Sequence, residues 1–123
     1  MRILIVLMLL AGTAHAWSDA DTVREGVWQG LNVIDTGQTL FIARNPTYPE
    51  GDRLREYHEI NPLLGRHPTP SRAAAMMSLG AVAHVAISAV LPEKARAVWQ
   101  YVTIGESAFC VIHNHQIGIQ ISF

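Results

Sequence analysis

The stretch that decides the fold is residues 73–91, AAAMMSLGAVAHVAISAVL. It contains one ionisable side chain, His84, and no proline. At a rise of ~1.5 Å per residue such a helix is about 28 Å long, close to the hydrocarbon thickness of a bilayer. Ser71 stands where it would cap the helix, and Pro92 closes the run. A soluble chain this small can bury a helix that is apolar all round only at its centre. The run therefore predicts a transmembrane helix, with a central core helix of a soluble domain as the alternative.

Upstream, Ser18 and Asp21 have the spacing of a capping box ahead of residues 22–43, which lack proline and end before Asn45-Pro46. Trp28, Asn32, Asp35, Thr39 and Ile42 recur there at steps of three and four, while Val27, Leu31, Ile34 and Phe41 lie mostly elsewhere. Downstream, residues 97–123 are apolar but interrupted by polar side chains, and Trp99, Thr103, Glu106, Cys110, His113 and Ile117 form one stripe. In water a polar stripe faces out; in lipid it turns inward toward other helices. The expectation is an all-α fold: a three-helix transmembrane bundle, one domain over residues 17–123, with helices at about 20–43, 71–91 and 95–121.

The first residues supply an address. Met1-Arg2, the apolar run 3–10 and Ala14-His15-Ala16 read as a cleavable signal peptide over residues 1–16. The loop over residues 44–70 is rich in proline and carries Arg44, Arg53, Arg55 and Arg66, with Arg72 at its border; the short link has only Lys94 and Arg96. The positive-inside bias makes the long loop cytoplasmic. The expected location is the bacterial inner membrane, mature N-terminus periplasmic and C-terminus cytoplasmic. Trp17, Trp28, Trp99 and Tyr101 then suggest an aromatic belt at the outer face.

Composition agrees. In 123 residues, 50% are hydrophobic and 15% charged, below the ~25% charged of typical soluble domains. A net charge of −1 gives no basic surplus for nucleic acid, and one cysteine excludes an intrachain disulfide framework. The partners implied are the lipid bilayer and another membrane or envelope protein or a second copy of the chain.

Counting depth from Gly26, Leu91 and Ala97, the outer ends of the apolar runs, places Asp35, His84 and Glu106 roughly 10–14 Å deep. With Gln38 and Thr39 they form a candidate buried polar cluster. Charges at that depth are costly toward lipid, so these groups should face one another, as hydrogen-bonding glue, as a proton or ion site, or as an intramembrane hydrolase. No cofactor and no metal site is expected. His113-Asn114-His115 does not chelate, because successive helical residues point about 100° apart, and Cys110 reads as a packing residue. No Ser-His-Asp order, phosphate loop or H-E-x-x-H helix is present. In the loop, His58-Glu59-Ile60-Asn61-Pro62-Leu63-Leu64-Gly65 predicts a short turn opened by Asn-Pro and ended by glycine, with Glu59, Asn61 and Pro62 as candidate site residues.

Asp35-Thr36-Gly37-Gln38-Thr39, followed by Glu59-Ile60-Asn61-Pro62-Leu63-Leu64-Gly65, resembles a D-x-x-Q-T … E-x-N-P-L pattern in uncharacterised small membrane proteins of bacteria and their phages. The likeness covers about residues 28–118, with Trp99-Gln100-Tyr101 and Asn114 also similar. It implies location and helix count and carries no activity. The functional expectation is a non-catalytic membrane protein that binds a partner or modulates the envelope. The rivals are an intramembrane hydrolase or proton-binding protein using Asp35, His84 and Glu106, and a secreted soluble helical adaptor or inhibitor.

Overall fold

A computed structural model describes residues 16–58 and 61–123. The signal-peptide reading of residues 1–16 falls almost wholly outside them, as does Glu59. The described chain is mostly helical, with three helices over 67% of its length.

Helix α1 (Asp19–Arg44) opens on the expected capping box: Ser18 Oγ accepts the Asp21 N–H at 3.1 Å, and Asp21 Oδ2 accepts the Ser18 N–H at 3.0 Å. It ends where Pro46 pushes Asn45 out of the helical region, and the Asn45 side chain and backbone both donate to the Phe41 carbonyl. Helix α2 (Pro70–Val90) is capped by Thr69, whose hydroxyl accepts the Arg72 N–H at 3.2 Å. Sequence pointed to Ser71 as the cap; Pro70 moves the start back, since its ring suits the first helical position. Helix α3 (Glu93–Gln116) follows Pro92 and closes with a Schellman motif, in which Gly118 at φ +87° lets its N–H reach His115 O and the Ile119 N–H reach Asn114 O. The third helix thus stops short of the expected residue 121, at a glycine that only a left-handed turn requires.

The loop holds structure that the sequence reading did not anticipate. Strands β1 (Thr47–Glu50) and β2 (Arg53–Glu56) pair antiparallel, with Thr47 opposite Glu56 and Glu50 opposite Arg53. Gly51 supplies the positive φ, +60°, that a two-residue hairpin turn needs. Tyr57 fastens the hairpin to the end of α1 by ring contacts with Tyr48 (4.5 Å) and Phe41 (6.2 Å). Beyond it, Asn61 Oδ1 accepts the Leu63 N–H at 3.0 Å in the expected Asn-Pro turn, and Gly65 turns away at φ +79°.

Helix α1 lies between the others, packing on both α2 and α3, which touch each other little. Residues 117–123 then fold back along α1, where the Ser122 N–H donates to Gly37 O at 3.0 Å. The interior is polar: Asp21, Glu25, Gln38, Thr39, His84, Ser88, Arg96, Gln100 and Thr103 are buried, beside a few apolar groups such as Leu40, Ile42 and Met77. Val23, Val33, Leu79, Val82, Val98, Val102, Phe109 and Ile112 are exposed.

Candidate functional site: a polar core between three helices

Each helix contributes one stripe at helical spacing. Asp21, Glu25, Trp28 and Gln29 come from α1, His84 and Ser88 from α2, and Arg96, Trp99, Gln100 and Thr103 from α3. Together they build a hydrogen-bonded layer near the end of the bundle where α1 starts, α2 ends and α3 starts.

The Glu25 carboxylate is the hub. It accepts from Gln29 Nε2 (2.9 Å), His84 Nδ1 (2.9 and 3.0 Å), Ser88 Oγ (3.0 Å) and Gln100 Nε2 (3.2 Å). An ionised carboxylate is acceptor-only, and four donors from three helices suit it. His84 is 3% exposed and sandwiched between indoles, with Trp28 stacked at 3.7 Å and 6° and Trp99 at 5.1 Å and 28°. Its Nε2 lies 2.9 Å from Thr103 Oγ1, which is also within reach of Trp99 O (2.9 Å) and Gln100 O (3.2 Å). The Thr103 hydroxyl can therefore donate to a carbonyl while accepting from an imidazolium, or donate to the Nε2 of a neutral ring. Either arrangement keeps the His84–Thr103 hydrogen bond, the second by giving up the hydroxyl's bond to a carbonyl. Trp99 Nε1 is the one buried side-chain polar atom among the described residues without a partner.

Arg96, fully buried, ties the three helix ends together. Nε donates to Ser88 O (2.7 Å) and Nη2 to Leu91 O (3.0 Å), capping α2, which has no basic residue of its own in its last turn. Nη1 donates to Asp21 Oδ2 (2.8 Å) and Ala16 O (3.1 Å) at the start of α1, and the guanidinium lies 5.4 Å from the Trp17 ring centroid. Asp21 also pairs with Arg24, whose Nε donates to Gln100 Oε1 at 2.9 Å.

The residues expected to cluster divide. His84 lies in this layer, with Glu25 as its carboxylate partner. Gln38 belongs to a second layer, where its Nε2 donates to Val111 O (3.1 Å) and its Oε1 accepts from Asn114 Nδ2 (3.1 Å). Asp35 is half-buried there, 3.4 Å from the same Asn114 nitrogen, and Thr39 is buried nearby on α1. Glu106 is exposed and stands apart from both layers. The error lies in the origin of the depth count. Measured from the capped start at Asp19, Glu25 is six residues into α1, and His84 is six from the end of α2 at Val90; Asp35 lies ten residues deeper than Glu25. The capping box already carried that origin, but starting at Gly26 discarded the charged first turns.

The four aromatic residues also make contacts within the chain: Trp28 and Trp99 cover His84, while Trp17 and Tyr101 lie against Arg96 and Arg24. Asn61 and Pro62 are exposed in the loop turn, remote in sequence and element from the polar core.

Comparison of the chain with protein-family models, curated proteins and solved structures finds no match. The resemblance to small phage and bacterial membrane proteins therefore rests on the quoted motif residues alone.

Proposed function

We propose that this is a small integral protein of the bacterial inner membrane, a three-helix bundle that acts without catalysis by binding a partner or modulating the envelope. One observation carries the reading: the distribution of side chains is inverted. Charged and amide groups such as Asp21, Glu25, Arg96 and Gln100 are buried beside a small apolar core, while large apolar side chains such as Val33, Leu79, Val82, Val102, Phe109 and Ile112 are exposed on all three helices. Water penalises that arrangement and lipid favours it.

Helix α2 discriminates most sharply. It is the one helix among the described residues that is apolar and long enough to cross a membrane, and only 22% of its apolar window is buried inside the bundle. A soluble core helix would occupy the centre, but α1, which buries Asp21, Glu25, Gln38 and Thr39, does so instead. At 26, 21 and 24 residues the helices are about 39, 31 and 36 Å long, so each matches the thickness of a hydrocarbon core of ~30 Å in length, and α2 alone among the described residues matches it in composition as well.

The polar core supports a structural role over a hydrolytic one. Both faces of His84 are covered by indoles, and the Glu25 carboxylate is filled by donors from its own chain. Such a layer holds helices in register where the hydrophobic effect between them is absent. The test is extraction of membranes from cells expressing the full chain. The protein is expected in the carbonate-resistant pellet of the inner-membrane fraction; recovery in a detergent-free soluble fraction overturns the reading.

A further inference from the structure

We propose that Glu56, His58 and His67 form a binding site for a divalent transition-metal ion of the zinc type, outside the polar core and on the loop between α1 and α2. Glu56 ends β2, and His58 follows two residues later, so an extended chain turns both to one side while Tyr57 between them packs toward Phe41. His67 arrives from the far end of the loop, next to buried Pro68 and two residues before the Thr69 cap of α2. The loop's return is held in place by buried Leu64 and by Arg72, which donates to Leu63 O at 2.9 Å.

The distances fit an ion. Glu56 Oε2 lies 3.5 Å from His58 Nε2 and 3.6 Å from His67 Nε2, and the three ligand atoms all fall within 4.8 Å of one another. A tetrahedral zinc ion with bonds of about 2.0–2.2 Å needs ligand atoms about 3.4 Å apart. Two of the three edges are thus already near that length. Two imidazole nitrogens and one carboxylate oxygen select zinc-like ions over calcium or magnesium, which take oxygen. Three protein ligands leave a fourth position for water or an external group. His67 also lines a hollow of about 270 Å³ with Ile42, Tyr57 and Pro68, so space for that group exists beside it. The sequence hides the set because His67 follows His58 by nine positions, well outside the short His-x3–5-His spacing that marks many zinc sites. An ion held there would clamp the hairpin to the head of α2.

The test uses the purified full chain in detergent, free of any histidine tag, titrated with Co²⁺ and then Zn²⁺ alone. One Co²⁺ per chain is expected, with the visible absorption of tetrahedral coordination, displaced by one Zn²⁺. Loss of a partner that merely orients a ligand weakens metal affinity 10- to 100-fold, so His58→Ala, His67→Ala and Glu56→Gln should each weaken Zn²⁺ binding by at least about tenfold. Their circular dichroism should match the parent, since all three side chains are exposed and outside the bundle. A control with His113→Ala and His115→Ala should bind as the parent does. Absence of stoichiometric binding, binding that survives His58→Ala with His67→Ala, or binding lost in the control overturns the proposal.

Discussion

Arg96 does with one side chain what several helix caps would otherwise do. Its guanidinium meets the last carbonyls of α2, the carboxylate of Asp21 and the backbone of Ala16. Removing one partner of a buried ion pair costs about 3–5 kcal/mol where the other is left uncompensated, and Asp21, which keeps its pairing with Arg24, sets the loss at the lower end of that range. Arg96→Met should therefore destabilise the bundle by about that amount, read as earlier unfolding in mixed micelles of increasing SDS content. Arg96→Lys should not restore it, because an ammonium cannot supply the planar fork that reaches two helix ends at once. Stability within about 1 kcal/mol of the parent for both variants would show that the staple contributes little.

At the scale of elements, what sequence could disclose follows from how local the cause is. The start of α1 was legible because Ser18 and Asp21 bond across three residues, and both proline boundaries were legible because Pro46 and Pro92 act on their immediate neighbours. The hairpin was not. TYPE and RLRE show little apolar alternation, and their pairing relies on Gly51 and on Tyr57 reaching Phe41 across the loop. In the polar core His84 stood out as the lone ionisable group of an apolar run, whereas Glu25 was concealed in a charged first turn that resembles solvated helix. The returning tail was equally invisible until the glycine of the Asp35-to-Thr39 motif was seen against it. A Cβ on Gly37 would lie 2.5 Å from Ile121 Cγ2 and 2.9 Å from Phe123 Cζ. Overpacking of this kind costs about 1–3 kcal/mol, so Gly37→Ala should detach the tail and raise thiol labelling of Ser122→Cys at least about fivefold, in a Cys110→Ser background. An unchanged labelling rate would mean the tail does not dock there.

For the whole molecule, the governing observation is that the bundle buries a polar network between its helices and leaves many large apolar side chains exposed. In the proposed membrane setting each buried stripe has a structural duty, since in lipid helix association draws on packing and hydrogen bonds rather than on expulsion of water. On the membrane reading proposed above, the long loop with its arginines and the short link between α2 and α3 would fall on opposite sides of the bilayer, in the sense the positive-inside bias gives. The most direct measurement is a nitroxide scan of α2 in the reconstituted full chain, with Cys110 replaced by serine and single cysteines at positions 79, 82, 84, 85 and 88. Labels replacing Leu79, Val82 and Val85, which are exposed on the outer face, should collide freely with oxygen and scarcely with a water-soluble nickel complex, while those at the buried positions of His84 and Ser88 should meet neither. Free collision with the nickel complex at positions 79, 82 and 85 would place that face in water and contradict the membrane bundle.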